Sequence, residues 1–169
     1  MATTYEKIAT VTVGVGGASS IDFTSIPSTY TDIQLVLSGR YSAAATTGYC
    51  TAAFNGSTAN FSIRGLYGSG SGTPGSFTTP SNFVGEIVGD SATASTFSSL
   101  SMYIPNYSGS NYKSYSVDSV GENNGTTAQA TLTAGLWSVS TAINSISLSP
   151  NSGTLKQYSS ATLYGIKNS

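Results

Sequence analysis

Along most of this chain apolar and polar residues alternate, in short runs rich in Thr, Ser, Val, Ile and Tyr. That period of two is the mark of half-buried β-strands. It predicts strands over residues 5–13, 19–24, 31–39, 48–55, 60–67, 82–89, 97–104, 112–120, 127–136, 143–149 and 159–167. Successive side chains of a strand point to opposite faces, so Ile33, Leu35 and Leu37 fall on one face and Asp32, Gln34 and Ser38 on the other. The same rule assigns Leu100, Met102 and Ile104 to the core. It also assigns there Leu132, Ala134 and Leu136, Ile146 with Leu148, and Tyr164 with Ile166. No segment carries a helical stripe of period 3.6.

Turn chemistry separates the runs. Asn55-Gly56 and Asn124-Gly125 are dipeptides that tolerate the positive φ angles of tight hairpins. Gly16-Gly17, Pro105-Asn106 and Pro150-Asn151-Ser152-Gly153 mark further corners. About eleven short strands with such spacing predict an all-β fold, a two-sheet antiparallel sandwich with a jelly roll as its expected form. An up-and-down barrel is the alternative. Residues 1–169 read as one domain, with a flexible Gly/Ser/Pro-rich loop at 68–81.

Composition narrows the chemistry. Lys plus Arg number 6 and Asp plus Glu 7 among 169 residues, 8% charged, against about 25% in ordinary soluble domains. Ser and Thr number 31 and 23. There is no histidine and one cysteine, Cys50, which removes the usual zinc, haem and thiolate-cluster sites and any internal disulfide. No metal or cofactor is expected. A net charge of −1 gives no cationic footprint for nucleic acid. Met1 to Lys7 runs into a strand pattern without a basic segment and an apolar run, so no signal peptide is read. No apolar stretch is long enough for a membrane helix, and synthesis in a cytoplasm is expected. A weakly charged surface of hydroxyls has little electrostatic protection from association, which suits a protein covered in an assembly and equally one selected to be inert in harsh surroundings.

The candidate catalytic patterns fail one by one. Residues 70–75 fit G-x-G-x-x-G, but Pro74, Ser76 and Pro80 follow where a dinucleotide site needs a helix. Glu86 with Asp90, and Asp118 with Glu122, lie four apart, about 13 Å along a strand and too far for a glycosidase pair. A serine nucleophile has no histidine base to take its proton. Cys50 reads as a buried structural thiol. No enzymatic activity is expected. The segment from Tyr103 to Tyr115 has more content: Tyr107, Asn111 and Tyr112 bring rings and an amide to one corner, the pairing used by sugar sites and protein interfaces. These three are the candidate partner or ligand contacts.

Several phrases carry a resemblance. The opening residues 1–13, the run Ile21-Asp-Phe-Thr-Ser-Ile-Pro-Ser-Thr-Tyr-Thr-Asp-Ile-Gln-Leu35, Tyr103-Ile-Pro-Asn-Tyr107, residues 111–124 and the tail from Tyr158 to Lys167 resemble small virion proteins of tailed bacteriophages. The likeness spans most of the chain and thins between residues 69 and 96. It implies a β-sandwich virion component, often a homotrimer. One expected role is a capsid decoration or cement protein on the major capsid protein lattice. The other is a tail-associated or tail-fibre module that binds a receptor or host surface glycan. No heptad or collagen-like stalk is present to project a fibre tip, which favours the capsid.

Overall fold

The computed structural model describes residues 4–70, 72–79, 81–125 and 128–167. In chain order its strands are β1 (Tyr5–Thr12), β2 (Ile21–Phe23), β3 (Asp32–Gly39), β4 (Thr47–Phe54), β5 (Phe61–Gly68), β6 (Gly75–Thr79), β7 (Phe83–Val88), β8 (Ser98–Ile104), β9 (Lys113–Gly121), β10 (Gln129–Trp137), β11 (Ile146–Pro150) and β12 (Ser160–Ile166). The strand pairs are antiparallel. They make an eight-stranded sheet, β1-β12-β3-β8-β9-β10-β5-β6, and a four-stranded sheet, β2-β11-β4-β7. This is the all-β, two-sheet sandwich that the alternation predicts. Its division, eight strands against four, differs from the eight strands in two sheets of a jelly roll, and the order does not establish that form.

Alternation places the core between the sheets. Ile33, Leu35 and Leu37 of β3 and Leu100, Met102 and Ile104 of β8 face inward, against Ile21, Cys50, Ala52, Phe54, Ile146 and Leu148 of the small sheet. Between β4 and residue 57 the chain turns at Asn55-Gly56, both at positive φ, closed by reciprocal backbone bonds between Phe54 and Ser57.

Three expectations need correction. Within 68–81, taken as a loop, Gly75–Thr79 forms the edge strand β6 on β5. The alternation of Ser76, Phe77 and Thr78 is short and hidden in Gly/Ser/Pro composition, and the open edge of β5 supplies the hydrogen bonds. Ser71 of the glycine fingerprint, Pro80, and Thr127 of the predicted strand 127–136 lie outside the described residues. Tyr164 is half-buried on the outer face, and Leu163 takes the inward position beside it. The third correction concerns β10. Leu132, Ala134 and Leu136 point out, and Thr131, Thr133, Gly135 and Trp137 point in.

The register of β10 is set by its bulkiest residue. Trp137 packs against Phe54 and Phe61, with ring centroids 5.6 and 6.2 Å away, and the Tyr115 ring lies over Gly135 where a Cβ would collide with it. A slip of one residue would turn the leucines inward and expel Trp137. The cost of the observed register falls on Thr131 and Thr133, whose buried hydroxyls have no hydrogen-bond partner.

Buried cations tie down the loops. The Arg40 guanidinium, in a residue 5% exposed, donates to the carbonyls of Thr93 (2.9 Å), Thr96 (2.9 Å), Ala92 (3.0 Å) and Asp90 (3.3 Å). The Asp90 carboxylate lies 3.9 Å away and also pairs with Lys156 at 2.5 Å. One side chain therefore organises residues 90–96. Arg40→Met leaves those carbonyls without their donor and should destabilise the fold by about 3 kcal/mol. Hydrogen exchange should show faster exchange first at Ala92 and Thr96, whose amides bond within this loop; unchanged protection there would refute the anchoring role.

Candidate functional site

The corner at residues 105–112 is a structural device. Tyr107 is 0% exposed and its hydroxyl donates to the Pro27 carbonyl, while the Ile143 amide donates to the Tyr107 carbonyl at 3.0 Å. As a surface contact Tyr107 is therefore corrected: its ring belongs to the core. Asp32 fixes the start of the corner, accepting from the Tyr103 hydroxyl (2.6 Å) and the Asn106 amide (2.8 Å). This bond to a carboxylate pushes the Tyr103 hydroxyl up to about 12. Lys113 closes the corner from inside, its Nζ donating to the carbonyls of Gly109 (2.7 Å), Asn111 (2.5 Å) and Ser140 (3.3 Å). Burial lowers the pKa of this ammonium. Of the three candidate contacts, Asn111 and Tyr112 remain at the surface, Tyr112 61% exposed.

The carboxylates and the thiol sort into structural settings. Asp90 is held below the usual carboxylate range by Lys156, and Glu6 by Lys167 and the Tyr30 hydroxyl. Cys50 is buried in the core, and burial pushes its thiol up to about 12, so it stays neutral. No cluster of three or more Cys, Asp or Glu suited to a metal occurs among the described residues.

Two surface features remain. The first follows from the inverted β10. Cross-strand pairing puts Leu132 between Asp118 of β9 and Leu66 of β5, Ala134 between Ser116 and Arg64, and Ala130 between Val120 and Gly68. An apolar stripe therefore crosses the outer face of β9-β10-β5, with Leu66 59% and Leu132 55% exposed and Val120 and Leu136 also open, flanked by Ser114, Ser116 and Asp118 of β9 and Ser62 and Arg64 of β5. A shallow groove of about 670 Å³ runs along it past Leu66, Val120, Ala130 and Leu132. The other half of the same face is different. There Thr10 and Thr162 share a hydrogen bond of 2.9 Å and Gln34 donates to Ser101 at 3.0 Å.

The second feature comes from the unequal sheets. Strand β7, the edge of the small sheet, packs on β8, β9 and β10, so β5 and β6 extend past it. Tyr67 and Phe77 lie on that overhanging part; Phe77 covers Gly65 and Tyr67 covers Gly75, where side chains would collide with the rings. Tyr49 and Phe83 meet them from β4 and β7. The rings touch in file, Tyr49 to Phe83 at 5.6 Å, Phe83 to Phe77 at 5.4 Å and Phe77 to Tyr67 at 6.3 Å between centroids. Together with Thr51, Asn82, Glu86 and Gln129 they line a cleft of about 450 Å³. Burial raises the Glu86 carboxyl to about 7.

Sequence reasoning missed both features. Alternation alone places the outward leucines in the core, and composition places Phe77 in a loop. The signal for the first was Trp137, which shares a face with Thr131 and Thr133 and has the greater claim on burial. Comparison of the chain with protein-family models and with curated proteins found no match.

Proposed function

We propose that the protein is a non-catalytic structural component of a bacteriophage virion, a decoration or cement protein that docks on the major capsid protein lattice through the outer face of β9-β10-β5. The observation that carries this reading is the inverted polarity of β10, which exposes Leu132 and Leu136 while burying Thr131 and Thr133. Contiguous apolar surface is costly to leave in water and marks interaction sites. Three strands about 4.8 Å apart and three rows about 7 Å apart give the stripe an area on the order of 300 Å². A contact of that size is weak alone and becomes durable when several copies engage together. The homotrimer implied by the resemblance to phage virion proteins supplies that multiplicity, and the virion location rests on the same resemblance.

The test is a substitution on the stripe. Leu132→Asp leaves the core untouched and should keep the protein folded, yet reduce its binding to purified capsids lacking it at least about tenfold. Thr162→Asp, on the hydroxyl half of the same face, should bind normally. Equal binding by both variants would overturn the docking surface. The second reading, a tail-associated receptor-binding module, keeps Asn111 and Tyr112 as its exposed corner residues; under it Tyr112→Ala abolishes adsorption to host cells and leaves capsids unchanged.

A further inference from the structure

We propose that the cleft between β4, β6 and β7 binds a pyranose ring of a carbohydrate, stacked on the wall of Tyr49 and Tyr67 and hydrogen-bonded by Glu86 and Gln129. This goes beyond lattice docking, since it needs no part of the leucine stripe, and it moves the sugar site away from the Tyr107–Tyr112 corner.

Three observations converge on it. The cleft exists because the large sheet overhangs the small one, which leaves inner-face aromatic residues without a covering strand. Tyr49 and Tyr67 are 42% and 38% exposed although each touches a neighbouring ring. Rings of this kind offer a flat apolar surface to the C–H face of a sugar. The rim then supplies both donors and acceptors. Gln129 carries an amide, Thr51 a hydroxyl, and Asn82 uses its Nδ2 on the Ala52 carbonyl (2.9 Å), which leaves its Oδ1 as an acceptor. A volume of about 450 Å³ lies within the roughly 300–1,000 Å³ of small-molecule sites, and apolar walls with a few polar groups are their usual lining.

An organic cation is the competing occupant, because aromatic rings and a carboxylate also attract ammonium groups. The rim argues against it: Glu86 is the one acid there beside several neutral hydroxyls and amides. Its carboxyl, half-protonated near neutrality, serves a hydroxyl as donor and acceptor better than it serves a cation.

The experiment is a titration of the full chain, followed by amide chemical shifts. The probes are the methyl glycosides of glucose, galactose, mannose, N-acetylglucosamine and rhamnose, with tetramethylammonium as the cationic comparison, each to about 20 mM, a range that reads millimolar affinity. At least one glycoside should give saturable shifts confined to residues around Tyr49, Tyr67, Phe83 and Gln129. Tyr67→Ala should weaken that binding by about tenfold or more, Glu86→Gln by less, and Tyr112→Ala should leave it unchanged. Each variant's spectrum reports its fold, and Tyr49→Ala serves if Tyr67→Ala is unfolded. Saturation by tetramethylammonium alone, shifts centred on Tyr112, or no saturable shift with any glycoside would each overturn the proposal. Lattice docking by Leu132 is unaffected by any of these results.

Discussion

Phe54→Ala should destabilise the protein by about 3–5 kcal/mol, the largest effect expected from a single truncation. Phe54 comes from the small sheet and is fully buried. Its ring meets three residues of the large sheet, Phe61 at 5.2 Å, Tyr115 at 5.7 Å and Trp137 at 5.6 Å. Truncation removes the transfer energy of the ring, opens a cavity between the sheets and loses three edge or tilted ring contacts. The two sheets pack by alternation, and no hydrogen-bonded strand pair joins them among the described strands. The cavity falls in the packed interior, while the hydrogen bonds that join the sheets lie elsewhere, from the Glu86 and Val88 amides of β7 to the Ser119 and Ser98 hydroxyls. For a chain of this length the loss corresponds to a fall in Tm of about 10 °C. Thermal unfolding followed by near-ultraviolet circular dichroism of Trp137 measures it. A Tm within about 2 °C of the parent would refute this cluster as the pin between the sheets.

Glu86→Gln should change the dependence of stability on pH. The folded pKa of Glu86 is about 7 against an ordinary 4.5, because burial disfavours the charged form. Below about pH 4.5 the acid is protonated in both folded and unfolded chains and contributes nothing. Between about 4.5 and 7 the unfolded chain has lost the proton and the folded chain holds it, so stability falls as pH rises through this window. Above about 7 the penalty is complete, at most about 3 kcal/mol and less in proportion to the solvent the carboxyl reaches. Tyr41 nearby, its hydroxyl pushed up by burial, stays neutral throughout the window. Glutamine keeps the shape without the charge. The variant should match the parent at pH 4 and exceed it at pH 8, as measured by urea unfolding at both values. Equal stability at pH 8 would show that Glu86 ionises freely in the folded protein.

The sequence reveals some of this architecture and hides the rest for physical reasons. The faces of β3 and β8 are legible because their inward residues are large and apolar and their outward ones polar, so periodicity has one solution. In β10 both faces compete: three apolar residues alternate with Thr131, Thr133, Gly135 and Trp137, and the choice is made by Phe54 and Phe61 from distant strands. Within the strand itself Trp137 alone hints at the outcome. Tyr107 is a similar case. It lies in a turn-rich segment with the look of a surface corner, and its burial depends on Pro27 and on residues near 143.

Buried cations are equally silent in a one-dimensional reading. Arg40 and Lys113 are stabilised by backbone carbonyls, which every residue type carries, so no partner motif marks them. The cleft needs four aromatic residues from four strands and a small sheet that ends before the large one. A list of strands fixes neither their order nor their division between sheets, and Phe77 sits in the segment whose Gly and Ser content argued for a loop. The outward leucines and the ring-lined cleft are also where local patterning and burial disagree. Such disagreement is expected where a surface is kept for a partner.

The most direct test of the central claim is the copy number of this chain per particle, by quantitative mass spectrometry of purified virions normalised to the major capsid protein. A decoration protein docked through the β9-β10-β5 face should be present within a few-fold of one copy per capsid subunit. A ratio of a few per cent, or absence from the particle, would contradict the lattice role.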